Sequence, residues 1–279
     1  MHASRRFSPA LFLAGALLAG SASAQLIEEV PFITSPDNVT LEMLRIAGVG
    51  AADHVIDLGS GDGRIVITAA KRFGATGLGV EIDPTLVQQS NKHARDAGVA
   101  DRVKFLEQDL FKTDLAPASV VTMYLLPQVN MQLRPSLLAL KPGTRVVSHD
   151  WTMGDWMPDD VTVLPVPDKK VGLEKSSKVQ LWIVPARVDG LWCGSGVARA
   201  SSLQVTQRFQ DFQARIVAPG GMRELAGRIR GTQLQAGPAG EALSLEASGD
   251  TLRVSGASGP LASLQGQAFS RARSGACPG

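Results

Sequence analysis

The stretch from His54 to Arg72 constrains this chain more than any other. Val55-Ile56-Asp57-Leu58 is an apolar run without alternation, as expected of a parallel strand covered on both faces. Glycines follow at alternate positions, 59, 61 and 63, and Arg64 to Arg72 then reads as a helix. A strand that turns through glycines into a helix leaves backbone N–H groups and a helix N-terminus bare of side chains. Such a unit belongs to a doubly wound sheet, and the rest of the chain is placed around it.

Upstream, Ser35-Pro36-Asp37 opens a short helix that ends near Gly48. Downstream, Gly77 to Glu81 reads as a second strand, and Asp83-Pro84 opens a helix to about Gly98, with Asp as cap and Pro in the first turn. Arg102 to Leu106 and Ser119 to Leu125 are the third and fourth strands, Pro127 to Leu140 a helix, and Thr144 to Ser148 the fifth strand. Val161 to Val166 and Lys178 to Val184 suggest a terminal antiparallel pair. The expected fold is α/β, a doubly wound and mostly parallel seven-stranded sheet over residues 25–186. From 190 to 279 the pattern changes to short alternating runs such as Leu203-Val205, Phe212-Ala214-Ile216, Leu243-Leu245 and Leu252-Val254. They predict a small antiparallel β domain, a barrel or sandwich of four to six strands, against the competing reading of a Gly- and Ser-rich disordered tail.

Residues 1–24 read as a signal peptide: Arg5-Arg6, an apolar run from Ala10 to Gly20, then Ser21-Ala22-Ser23-Ala24 as a cleavage site. The expectation is export to the periplasm or medium with cleavage before Gln25, an uncleaved anchor being the alternative, and no membrane span after cleavage. Arg5 and Arg6 are the only charges in that segment, so 28 basic residues less these two leave 26 against 26 acidic ones. A chain without net charge argues against a nucleic-acid partner. Cys193 and Cys277 are the only two cysteines. In an exported protein they either pair or stand as free thiols, and without a nearby His they make no zinc site.

The spacing is G-x-G-x-G, with Arg64 where the third glycine of a dinucleotide fingerprint would fall, and Arg cannot provide the close helix packing which that glycine exists for. Glu81 ends the next strand, where a carboxylate can accept from both hydroxyls of a ribose. Asp57-Leu58-Gly59-Ser60-Gly61-Asp62-Gly63 resembles the first motif of class I S-adenosylmethionine-dependent methyltransferases, with Gln108-Asp109-Leu110-Phe111 where their adenine-binding acid lies. The resemblance covers roughly Pro31 to Pro185 and is closest to the seven-strand lysine methyltransferases, archaeal and mitochondrial. It implies S-adenosyl-L-methionine as cofactor, held by Asp57, Gly59, Gly61, Asp62, Gly63, Glu81, Asp109 and Leu110.

The acceptor side is expected where the fourth and fifth strands end. Tyr124-Leu125-Leu126-Pro127 stands where base-methylating enzymes of this class carry an Asp or Asn before Pro-Pro and an aromatic, so the resemblance points away from a base. Tyr124 is a candidate to orient an amine, and His149 to take its proton; Leu126, Pro127, Trp151 and Trp156 are candidates to wall the acceptor. No metal is expected; Asp155, Asp159 and Asp160 lack ligand spacing. The expected activity is methyl transfer to an amine, a protein lysine above all, with a small-molecule acceptor also open. The alternatives are an exported, non-catalytic module that binds an adenosine ligand and docks a partner through its β domain, and a nicotinamide-dependent oxidoreductase.

Overall fold

The protein is described from a computed structural model that covers residues 32–170, 174–273 and 275–277; the expected leader, 1–24, lies outside them. After helix α1 (Asp37–Ile46), strands β1 (His54–Leu58), β2 (Thr76–Glu81), β3 (Val103–Glu107), β4 (Val120–Met123) and β5 (Arg145–His149) run parallel. Between them lie α2 (Arg64–Phe73), α3 (Pro84–Asp96) and α4 (Pro127–Leu138), while β6 (Asp160–Pro165) and β7 (Ser176–Ile183) close the sheet. The order is 3-2-1-4-5-7-6, with β7 antiparallel to both β5 and β6. This is the expected seven-stranded α/β sheet.

Its central strands read as continuous apolar runs because both faces are covered. On one face Val39, Met43 and Leu44 of α1 pack with Val55, Val120 and Val147. On the other, Val66 and Ala70 of α2 meet Ala94, Val103 and Phe105. The strand order reverses between β1 and β4, so the crevice beyond their carboxyl ends is where an open α/β sheet binds its ligand.

The chain then forms a closed barrel of eight antiparallel strands: β8 (Gly190–Gly194), β9 (Ser202–Arg208), β10 (Asp211–Ala218), β11 (Gly221–Arg230), β12 (Gln233–Ala236), β13 (Leu243–Ser248), β14 (Thr251–Ala257) and β15 (Ala268–Arg271). Each strand pairs with the next, and β15 returns to β8. Eight strands replace the expected four to six, and the reading as a disordered tail does not hold. Inward side chains including Trp192, Phe212, Leu234 and Phe269 fill the interior, as an eight-stranded barrel of this size allows. Cys193 and Cys277 are joined in a disulfide, with Cα atoms 5.4 Å apart. Among the described residues no helix is long and apolar enough to cross a membrane.

Candidate cofactor and acceptor site

The glycine loop sits at the β1–β4 reversal. Gly59, Gly61 and Gly63 all have positive φ, and a Cβ on any of them would crowd a neighbour, Leu125 Cδ2 at 3.0 Å in the case of Gly59. A Cβ on Gly63 would lie 2.7 Å from Phe105 Cζ and 3.0 Å from Ser90 Cβ, so glycine lets α2 start tight against β3 and α3. A Cβ on Gly61 would lie 2.5 Å from the ring of Phe32, which rests on the loop from the segment before α1. Sequence reasoning misses Phe32, because no local pattern says that it turns back over the loop.

Glu81 closes β2 with its carboxylate aimed at this loop. Oε2 accepts from Gly61 N–H at 2.9 Å, and Oε1 accepts from Ile82 N–H at 2.8 Å and Asp83 N–H at 3.2 Å. Backbone donors thus hold the carboxylate still, and its remaining lone pairs are free to accept from a diol. Ile82, also unforeseen, is 71 % exposed directly after it, an apolar surface beside the carboxylate. Asp109 caps a single 3₁₀ turn, Leu110–Lys112, by accepting from Phe111 N–H at 2.9 Å; Leu110 is half-buried and Phe111 exposed beside it.

Asp62 is engaged within the loop. Its carboxylate accepts from the Arg64 guanidinium at 2.6, 3.0 and 3.2 Å and is held below the usual carboxylate range, so a cofactor ammonium would share it with Arg64. Asp57 is the unpaired acid. It is fully buried and accepts from Thr122 Oγ1 at 2.7 Å. Burial, against the Thr122 bond and with the charges of Glu81 and Asp62, pushes its pKa up to about 7. The donor set fits S-adenosylmethionine: a buried carboxylate for the ammonium, a fixed one for the ribose, a glycine loop between them with Phe32 resting on it, and apolar surface for the adenine.

On the acceptor side, Tyr124 follows β4 and is half-buried, its ring stacked on that of His149 at 3.9 Å. Burial, then the Asp150 charge, raises its pKa. His149 does not fit the expected role of proton acceptor. Its Nδ1 is 2.9 Å from Ser35 Oγ and its Nε2 2.9 Å from Ser177 Oγ, so both ring nitrogens are spent inside the protein. Burial lowers its pKa to about 4, Asp150 opposing and Lys169 adding, which leaves a neutral ring. Ser35 also accepts from Arg64 Nη1 through its carbonyl at 2.9 Å, tying the acceptor side to the cofactor loop. Leu126 caps α4 and Pro127 begins it, both partly buried. Trp151 is partly exposed, 36 %, with its N–H on His149 O at 2.7 Å. Trp156 is fully buried against Trp182 and Phe209, so it walls no open channel. Among the described residues no three His, Cys, Asp or Glu gather as a metal would need.

Two of the shifted groups, Asp57 and His149, oppose each other in stability. A carboxyl raised from 3.8 to about 7 binds its proton longer when folded, so the Asp57 contribution falls as pH rises through that window. A histidine lowered from 6.5 to about 4 stays neutral when folded, so the His149 contribution rises over its own window. Asp57→Asn removes only the first. The variant is expected to gain on the wild type by up to about 1.4 kcal/mol per pH unit between pH 4 and 7. Urea unfolding at several pH values measures this, and parallel profiles would refute the buried, proton-holding Asp57.

Comparison with known proteins places residues 57–160 in the family model of the ANTKMT methyltransferase domain. A protein-lysine N-methyltransferase of Saccharolobus islandicus is 43% identical over 137 residues, covering 48% of this chain and 85% of that protein. The adenine nucleotide translocase lysine N-methyltransferase of Mus musculus is 36% identical over 135 residues, covering 47% of this chain and 57% of that protein. The crystal structure of a protein from Salinibacter ruber, described as an RNA methyltransferase in complex with S-adenosyl-L-homocysteine, is 49% identical with a TM-score of 0.50, covering 56% of this chain and 96% of that one.

Proposed function

We propose, from the premise that this chain belongs to the class I S-adenosylmethionine-dependent methyltransferases near the protein-lysine enzymes, that it methylates lysine amines of a protein. The observation that carries the acceptor class is the end of β4. An exocyclic base amine is conjugated to its ring and needs a side-chain carbonyl or carboxylate to draw off its N–H groups. The chain offers Tyr124-Leu125-Leu126-Pro127 there instead. An aliphatic amine has a free lone pair once deprotonated and needs only alignment and a dry approach.

Bound in the crevice, S-adenosylmethionine supplies an electrophilic methyl group on a sulfonium. Asp57 would face its ammonium, Glu81 its ribose, and Ile82 with Leu110 its adenine. Tyr124, kept protonated, would orient the acceptor nitrogen by a hydrogen bond at Oη, with its ring fixed by the neutral His149. A lysine amine has an ordinary pKa of about 10.4, and the half-buried, aromatic approach past Trp151 lowers that value by desolvation. The proton departs to water before the nitrogen attacks. His149 takes no proton in this scheme and acts as the plate on which Tyr124 rests.

RNA is the second reading, favoured by the description of the Salinibacter ruber relative. Labelled methyl transfer into bacterial envelope and cytoplasmic fractions separates the two. The expected label resists ribonuclease, is destroyed by protease and maps to lysine by mass spectrometry; label lost to ribonuclease would replace lysine by RNA. We place the enzyme outside the cytoplasm. The leader pattern of residues 1–24 and the Cys193–Cys277 bond support this, since disulfides persist in oxidising compartments. N-terminal sequencing of the mature protein should then begin at Gln25.

A further inference from the structure

The barrel reaches the acceptor edge of the sheet through the tight turn between β9 and β10. At its tip Phe209 has φ 53, a left-handed conformation that a bulky L residue keeps only where its surroundings enforce it. They do so here. Gln207 Nε2 donates to Phe209 O at 2.7 Å and to Ala186 O at 2.9 Å, while its Oε1 accepts from Val188 N–H at 2.8 Å. The buried Gln210 on the other side donates through Nε2 to Met157 O at 2.5 Å. The strained backbone aims the Phe209 ring out of the barrel.

That ring meets the loop joining β5 to β6. It stacks on Trp156 with centroids 6.2 Å apart and planes 23° apart, and the Arg134 guanidinium of α4 lies 5.4 Å from its centroid. Arg208, next in the turn, pairs with Asp155 at 2.9 Å. Arg134 pairs with the same carboxylate and donates to Met153 O at 3.0 Å. The loop from 153 to 157 is thus gripped between α4 and the barrel turn. Its other end is Trp151, which is partly exposed beside His149.

We infer that the β9–β10 turn is a positioning element of the methyltransferase site, with Phe209 as its key: it holds the 151–157 loop so that Trp151 faces the acceptor. This rests on the acceptor-side reading of Trp151 given above. A barrel whose interior is filled by its own side chains then acts through its rim, as a brace for the neighbouring domain.

The test uses the full chain, hydrogen exchange, S-adenosylhomocysteine binding, and methyl transfer with bulk envelope protein as acceptor. Phe209→Ala is expected to speed amide exchange at 152–157 by about tenfold, leaving β1 and β4 protected. S-adenosylhomocysteine affinity should stay within about twofold while the acceptor KM rises severalfold, and Phe209→Tyr should restore both readouts. Arg208→Ala, at an exposed side chain, should give the same change at smaller size and decides the matter if Phe209→Ala does not fold. Unchanged exchange at 152–157 in the folded variants would overturn the brace. Faster exchange with an unchanged acceptor KM would overturn its part in positioning. If the wild type labels no protein, the lysine reading fails, and the exchange data still judge the brace.

Discussion

Replacing Glu81 by alanine is expected to weaken S-adenosylhomocysteine binding roughly 100-fold, and to remove methyl transfer at ordinary cofactor concentration. Two effects combine. A carboxylate that would accept from both ribose hydroxyls is lost, each charge-assisted bond being worth about 1.5–3 kcal/mol. The same carboxylate also accepts from Gly61, Ile82 and Asp83 N–H groups, so its removal frees the loop it steadies. Glu81→Gln keeps an acceptor oxygen and should fall between. Calorimetric titration measures both variants. An affinity for S-adenosylhomocysteine within a few-fold of wild type in Glu81→Ala would remove this residue from the cofactor site.

The second large effect concerns the barrel seam. The β15–β8 ladder that closes the cylinder spans only Phe269–Gly194, Ser270–Cys193 and Arg271–Trp192. Two devices reinforce it. Arg271 donates to Arg187 O and Asp189 O, both at 2.7 Å, and lies 4.2 Å over the Trp192 ring. The Cys193–Cys277 bond ties the first barrel strand to the chain after the last, across 84 residues. Replacing both cysteines by serine is expected to destabilise the barrel by about 2–4 kcal/mol. In urea this appears as a midpoint lowered by about 1–2 M, reproduced in the wild type by reductant. An unchanged midpoint would mean that the seam is held by Arg271, by packing and by the flanking Ser195–Ala268 and Ala272–Leu191 hydrogen bonds.

What the sequence reveals follows from where the forces act. The β1–glycine–α2 unit is readable because burial on both faces and a positive-φ turn each restrict local residue choice. The Cys pair is readable only as a possibility, since spacing does not fix pairing. Half of the barrel strands are not readable. β11 carries Gly221, Gly227 and three arginines instead of a clean alternation, and β12 and β15 are four residues each. At the site, the Asp62–Arg64 pair is local and open to notice. The clamp on His149 is not, because its two hydroxyls come from 114 and 28 residues away. Trp156 reads as a channel wall for the same reason: the Phe209 that covers it belongs to the other domain.

The short segment ahead of α1 has a practical consequence for anyone trimming the gene. A version beginning at Asp37 would keep every strand and helix described above. It would nonetheless lack Phe32 over the glycine turn and Ser35 between the histidine ring and the loop arginine, so the two halves of the crevice would no longer share a roof. Expression boundaries belong upstream of Phe32, and affinity tags are better carried at the opposite terminus.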